Sequence, residues 1–145
     1  MVEDSFVFNY TVERMLRAYR QAEEYSKRLG SSEEMEIGNN YNDTIKYEEM
    51  LSSASYAALV FSNPQRRKGI FKQMGGASPL SPLEWNVLDG TSSKEVRKLC
   101  EDYALGNRKI TEDQLNRIKE LCLALEEYII FIRALKEEAV KEVKI

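Results

Sequence analysis

The chain reads as a mainly α protein: a helical bundle of four main helices in a single domain over residues 1–145, with a small irregular or β-hairpin insertion around 64–91. Three observations carry that expectation. Apolar residues recur at separations of three and four through most of the chain, the spacing that lines one face of a helix. All three prolines and four of the seven glycines fall in 64–91, the stretch where that period stops. A chain of 145 residues suits one core, burying about 68 to 70% of the surface its unfolded form exposes, and its 43% hydrophobic content, with eight Tyr and five Phe, is too apolar for disorder.

The first helix is expected over 5–29, where Phe8, Val12, Met15, Leu16, Tyr19 and Ala22 share a face and Gly30 ends the run. Residues 30–43, GSSEEMEIGNNYND, combine Gly, Ser and Asn with acids and read as an exposed loop. A second helix follows over 43–61, with Asn42 or Asp43 as N-cap and Tyr47, Met50, Leu51, Ala54, Ala58 and Phe61 on one side. Asn63-Pro64 stops it, because the proline ring disfavours the helical conformation of the residue before it. Within 64–91, GIFKQM and LEWNVL carry weak alternation and β-favouring residues around the turn-rich GGASPLSP.

Ser92 and Glu95 form a capping-box signature for a third helix, which presents Val96, Leu99, Cys100 and Tyr103 and ends at Gly106. Thr111 and Gln114 repeat the device for the fourth. There Leu115, Ile118, Cys122, Leu125, Ile129, Ile132, Lys136, Ala139 and Val143 make a heptad seam with one charged interruption, widened by Leu121, Tyr128 and Leu135. At about 1.5 Å per residue this helix reaches roughly 48 Å, so its far end is expected to project or to meet another chain.

Charge supplies the clearest functional signal. Between Glu49 and Glu84 there is no carboxylate, yet Arg66, Arg67, Lys68 and Lys72 all lie in that interval, so a formal net charge of -3 conceals a cationic window. Arginine and lysine on a glycine-containing loop suit phosphate contact, and Phe71, Trp85 or Tyr41 offers a flat face to an unpaired base. Arg97 and Lys98 extend this candidate nucleic-acid site. Arg108 and Lys109, and Arg14, Arg17 and Arg20 at three-residue steps, are further clusters that could equally offset neighbouring acids.

Enzyme chemistry finds little support. With no histidine, the usual Cys/His zinc sites, the Glu-x-x-His di-metal bundle and the common serine–histidine pair cannot be built. Gly76 is followed by Ala77 and Ser78, so GIFKQMGG is not a Walker loop. No cofactor or metal is expected. The longest apolar run, YAALVF at 56–61, is far short of the roughly 20 residues a membrane helix needs. The start MVEDSFVFNY lacks the pattern of a secretory signal. Cys100 and Cys122 show no CxxC spacing and fall on apolar helix positions, so inert thiols in a reduced, cytoplasmic protein are expected.

The helical stripes over 5–29, 43–61, 92–105 and 111–143, interrupted by 64–91, resemble in architecture the small subunit of the archaeal type I-A CRISPR interference complex. TSSKEVRKL, from Thr91 to Leu99, is similar to the polar-start helix of the type III small subunits. These resemblances imply a non-catalytic subunit that stacks along a guide-RNA complex and helps hold nucleic acid, with no catalytic residue carried over. The expected partners are other subunits of a ribonucleoprotein complex, single-stranded nucleic acid and further copies of the chain, with no membrane. The rival expectation is a protein-binding adaptor or regulator, of viral or mobile-element origin, whose basic loop docks on an acidic partner.

Overall fold

The computed structural model describes residues 2–62 and 88–143. Four α-helices account for most of them: α1 (Val2–Leu29), α2 (Tyr41–Ser62), α3 (Ser93–Ala104) and α4 (Glu112–Val143), so the bundle expected from the sequence is the observed architecture. A single π-helical turn, Leu88–Ser92, leads into α3. Two three-residue strands, β1 (Glu34–Glu36) and β2 (Lys109–Thr111), pair antiparallel between the first and second helices and between the third and fourth.

The contacts fix the helix directions. Arg28 meets Asp43, and further along Arg14 meets Ser53, so α1 and α2 run antiparallel. Tyr103 meets Glu48, Cys100 meets Leu51 and Arg97 meets Ser62, so α2 and α3 are antiparallel as well. Because β1 follows α1 and β2 precedes α4, the most extensive helix contact, between α1 and α4, is antiparallel too. The result is an up-down-up-down bundle with the small sheet across one end. Residues 63–87 connect the other end.

Burial shows which sequence readings located the core. On α2 all six expected residues, Tyr47, Met50, Leu51, Ala54, Ala58 and Phe61, are buried, joined by Ser53, Ala57 and Val60. This wide buried arc lets α2 touch all three other helices, as α4 also does. On α4, Leu115, Ile118, Leu121, Cys122, Leu125, Tyr128 and Ile129 are buried as the seam requires. The backbone stays helical to Val143, while the expected seam side chains from Ile132 onward lie outside the described residues.

On α1 the contact seam is shifted. Thr11, Met15, Ala18, Ala22, Tyr25 and Leu29 are the buried set, stepping by four and three, while Val12, Leu16 and Tyr19 are only half-buried. The sequence reading followed the larger apolar side chains. Met15 and Ala22 are buried as expected, and Thr11, Ala18, Tyr25 and Leu29 complete the seam, the small Ala18 and Ala22 letting a facing helix come close, while Phe8 lies outside the residues whose side chains are described.

The helix ends are chemically specific. Thr111 and Gln114 form the expected capping box: the Gln114 amide donates to Thr111 Oγ1 at 3.2 Å and the Thr111 amide to Gln114 Oε1 at 2.9 Å. Gly30 (φ 59°) closes α1, its amide donating to the Ser26 carbonyl at 3.1 Å. Gly106 (φ 97°) closes α3 in a Schellman arrangement, with Asn107 donating to Asp102 and Gly106 to Tyr103. Two expectations need correction. The cap of α2 is Asn40, whose Oδ1 accepts from the Asp43 amide at 2.8 Å, rather than Asn42 or Asp43. Ser92 does not cap α3. It is helical itself (φ −66°, ψ −42°), because the π-turn carries the helix further back, and its hydroxyl donates to Glu120 Oε2 at 3.1 Å.

The sheet is a further correction, because 30–43 read as an exposed loop and no strand was expected at Lys109–Thr111. The register sets Glu34, Met35 and Glu36 opposite Thr111, Ile110 and Lys109, which buries Ile110 and the following Ile37 beneath the bundle. Lys109 Nζ reaches Glu34 at 3.8 Å. Segments this short, rich in Glu and Lys, have no strand signature of their own; the pairing comes from two helix ends brought together. As for the hairpin expected in 64–91, residues 63–87 lie outside the described set, and 88–92 is the π-turn.

Arg108 locks this end. Its Nε donates to the Ile37 carbonyl at 3.2 Å, and its Nη2 to the Gly38 carbonyl at 2.7 Å and to Thr44 Oγ1 at 2.8 Å. The guanidinium also sits 5.8 Å from the Tyr103 ring centroid. Beneath it Tyr25, Tyr47 and Tyr103 pack edge to face and tilted, with centroids 6.1 and 5.1 Å apart. Burial pushes the Tyr25 phenol up to about 12 and raises that of Tyr47 further.

Replacing Arg108 with alanine removes its part-buried bonds to the Ile37 carbonyl and Thr44 and its exposed bond to the Gly38 carbonyl, and is expected to destabilise the protein by about 2 kcal/mol in urea unfolding; a loss under half of that would show that the clamp is ornamental. A second expectation concerns acid. The hydrogen bond from Arg28 holds the Asp43 carboxyl below its ordinary value. Its folded-state pKa being below the unfolded one, the ion pair stabilises the fold above about pH 4 and the benefit fades as pH falls through the folded value. The stability gap between wild type and Asp43→Asn should thus close on acidification below pH 4, and a gap constant with pH would contradict this.

Candidate nucleic-acid interface

Of the six residues singled out as a nucleic-acid site, Arg66, Arg67, Lys68 and Lys72 lie outside the described residues. Arg97 and Lys98 are described, and both are exposed on α3. Their setting follows from the topology. The chain leaves α2 at Ser62 and re-enters at Leu88, so the part of the acid-free window that carries Arg66, Arg67, Lys68 and Lys72 lies in sequence between two points at the bundle end that carries the start of α3.

That junction is built from hydroxyls. Arg97 Nη2 donates to Ser62 Oγ, which ties the last residue of α2 to the second turn of α3. Buried Ser93 donates to the Leu88 carbonyl and holds the π-turn against the helix it precedes. The turn also packs on α2 and α4. Ser92 bonds Glu120, which in turn accepts from Arg117 Nη1 at 3.4 Å.

The sequence reading missed a third cation here. Lys94 is exposed three and four residues before Arg97 and Lys98, so the three lie on one flank of the first two turns. Helical spacing in TSSKEVRKL was the available signal. Glu95 is half-buried, and the next exposed carboxylate on the helix, Glu101, comes a turn later. Among the described residues none of Lys94, Arg97 and Lys98 has a carboxylate within ion-pair distance, whereas Arg17, Arg28, Lys109 and Arg117 each have one.

The other candidate clusters do not join them. Arg108 is spent on the Ile37 and Gly38 carbonyls and Lys109 on Glu34, both at the sheet end. Three-residue steps turn successive side chains around α1: Arg14 points at Ser52 and Ser53 of α2, Arg17 pairs with Glu13 at 3.7 Å, and Arg20 is exposed. Of the aromatic faces suggested for a base, Phe71 and Trp85 lie outside the described residues, and Tyr41, 78% exposed, begins α2 at the sheet end, opposite the α3 cations.

Both thiols are free. Burial raises the Cys100 thiol and pushes Cys122 up to about 12, so each is protonated and unreactive near neutrality. Among the described residues no helix is long and apolar enough to cross a membrane.

A scan against protein-family models finds no match, and searches of curated proteins and of solved structures find none either. The geometry of the chain itself is therefore what bears on function.

Because Lys94 and Lys98 are exposed and unpaired among the described residues, replacing both with alanine is expected to change the unfolding free energy by no more than about 0.5 kcal/mol. A larger loss in thermal or urea unfolding would reveal a structural role for these charges.

Proposed function

We propose that the protein is a non-catalytic, cytoplasmic subunit of a nucleoprotein complex, in the manner of the CRISPR small subunits it resembles in architecture. In this reading it holds single-stranded nucleic acid through the cationic end of the bundle. The observation that carries the reading is the cluster of Lys94, Arg97 and Lys98, without carboxylate partners among the described residues, at the end where the chain leaves α2 at Ser62 and returns at Leu88, the intervening sequence having Glu84 as its one acid. In sequence, Arg66, Arg67, Lys68 and Lys72 fall between Ser62 and Leu88, so the stretch 66–98 carries seven cationic residues. Phosphate contacts of this sort supply affinity without base specificity.

Assembly with other subunits or further copies has its own support. Leu123 and Ile130 are 37% and 50% exposed and stand seven residues apart on α4, two apolar positions of one outer stripe. The same stripe also suits the second reading, an adaptor that binds protein and no nucleic acid.

Fluorescence anisotropy with a labelled single-stranded RNA at several salt concentrations separates the two. The wild type is expected to bind with a strong salt dependence. Changing Lys94, Arg97 and Lys98 to alanine should lower the slope of log K against log salt by about 2, at roughly 0.7 per single-strand phosphate contact. Affinity and slope that stay unchanged in this variant, and in one lacking Arg66, Arg67, Lys68 and Lys72, would overturn the nucleic-acid role and leave the adaptor.

A further inference from the structure

Between α1 and α2, toward the sheet and away from the α3 cations, runs a half-open groove of about 690 Å³, within the range of small-molecule sites. Its walls are rich in donors: Arg14, Arg17 and Gln21 from α1, and Lys46, Ser52 and Ser53 from α2. Two of these groups have unusual surroundings. Arg14 is held entirely by neutral partners, with Nε donating to Ser53 Oγ at 3.0 Å, Nη2 to Ser52 Oγ at 2.7 Å, and the guanidinium 5.5 Å from the Tyr56 ring centroid. Among the described residues no carboxylate is within ion-pair distance of it, and its Nη1 has no partner. Gln21 Nε2 is buried in the same groove and also lacks an acceptor among the described residues.

A guanidinium fixed in orientation by two hydroxyls, with its charge left unanswered, is prepared for an oxyanion. Gln21 lies two helical turns from Arg14, about 10 Å along α1, too far to share one phosphate group. On the opposite wall Ser52 and Ser53 face Arg14, and Lys46 lines the groove nearer the sheet end. The groove thus has an oxyanion end and, a nucleoside's length away, a second donor end. Of its two carboxylates, Glu48 accepts from Tyr103 Oη at 2.8 Å on the α3 side, and Glu49 is exposed.

We propose that this groove binds a small phosphomonoester of nucleotide size, its phosphate on Arg14 and an acceptor on its body at Gln21 Nε2 and Lys46. The site is separate from the cationic end of the bundle and does not rest on the nucleic-acid reading.

The test titrates the full chain with inorganic phosphate, adenosine monophosphate and adenosine, each against sodium chloride of matched ionic strength, while following the Arg14 Nε–H and Gln21 side-chain amide signals by nitrogen-15 NMR. Phosphate is expected to move the Arg14 signal alone, the monophosphate to move both and bind more tightly, and adenosine to move neither. Arg14→Gln should weaken the monophosphate by about tenfold or more, as loss of a charge-assisted contact implies. Because Arg14 also ties α1 to α2, Gln21→Leu and Lys46→Gln provide independent readings: each should weaken the monophosphate about threefold while leaving phosphate binding unchanged. Adenosine binding as tightly as its monophosphate, or no shift beyond the chloride control, would overturn the proposal.

Discussion

The antiparallel contact of α1 with α4 is the constraint on which the rest of this structure depends. It is the largest interface in the molecule and joins the longest helices, of 28 and 32 residues. The buried residues of α1 are Thr11, Met15, Ala18, Ala22, Tyr25 and Leu29, and those of α4 include Leu115, Ile118, Cys122 and Leu125. Small side chains in the middle of one partner and branched ones on the other are what close packing of two long helices needs. With these two helices set, the C-terminus of α1 and the N-terminus of α4 lie side by side. Only then can two charged tripeptides pair as β1 and β2, and only then does Arg108 reach the carbonyls of Ile37 and Gly38.

The same topology sorts the charges. At the sheet end three cations are consumed internally, Arg28 by Asp43, Lys109 by Glu34, and Arg108 by backbone carbonyls and the Tyr103 face, while Lys27 and Lys46 stay exposed. At the other end Lys94, Arg97 and Lys98 meet no carboxylate among the described residues. In sequence all of these look alike, a basic residue or pair beside acids. What separates a structural cation from one offered to a partner is whether a helix end with free acceptors lies within reach, and that is a property of the assembled bundle. Arg14 stands between the two kinds, anchored by serine hydroxyls yet electrically unanswered.

Interactions with clear local signatures were legible before the fold. The Thr111–Gln114 capping box, the glycine closures at Gly30 and Gly106, and the apolar seams of α2 and α4 depend on residues within a few positions of one another, so chemistry and spacing determine them together. The Ser92–Glu95 capping box had the same signature and was not realised. Leu88 to Ser92 continue the helix as a π-turn packed on α2 and α4, and Ser92 found Glu120, 28 positions away. Tertiary packing outweighed a local preference worth about 1 kcal/mol.

By itself the sequence determined the number and order of the helices, the mainly α class, where most of them begin and end, and the sign reversal between Glu49 and Glu84. These follow from side-chain periodicity, backbone-specific residues and composition, all local quantities. The tertiary structure alone decided that Thr11, Ala18, Tyr25 and Leu29 join Met15 and Ala22 in the α1 seam in place of Val12, Leu16 and Tyr19, that Glu34–Glu36 and Lys109–Thr111 become strands, and that Arg97 joins Ser62 while Arg108 turns inward. Each of these outcomes is a contact between residues distant in the chain, whose free energy exists only after the helices have docked. No window of sequence contains both partners.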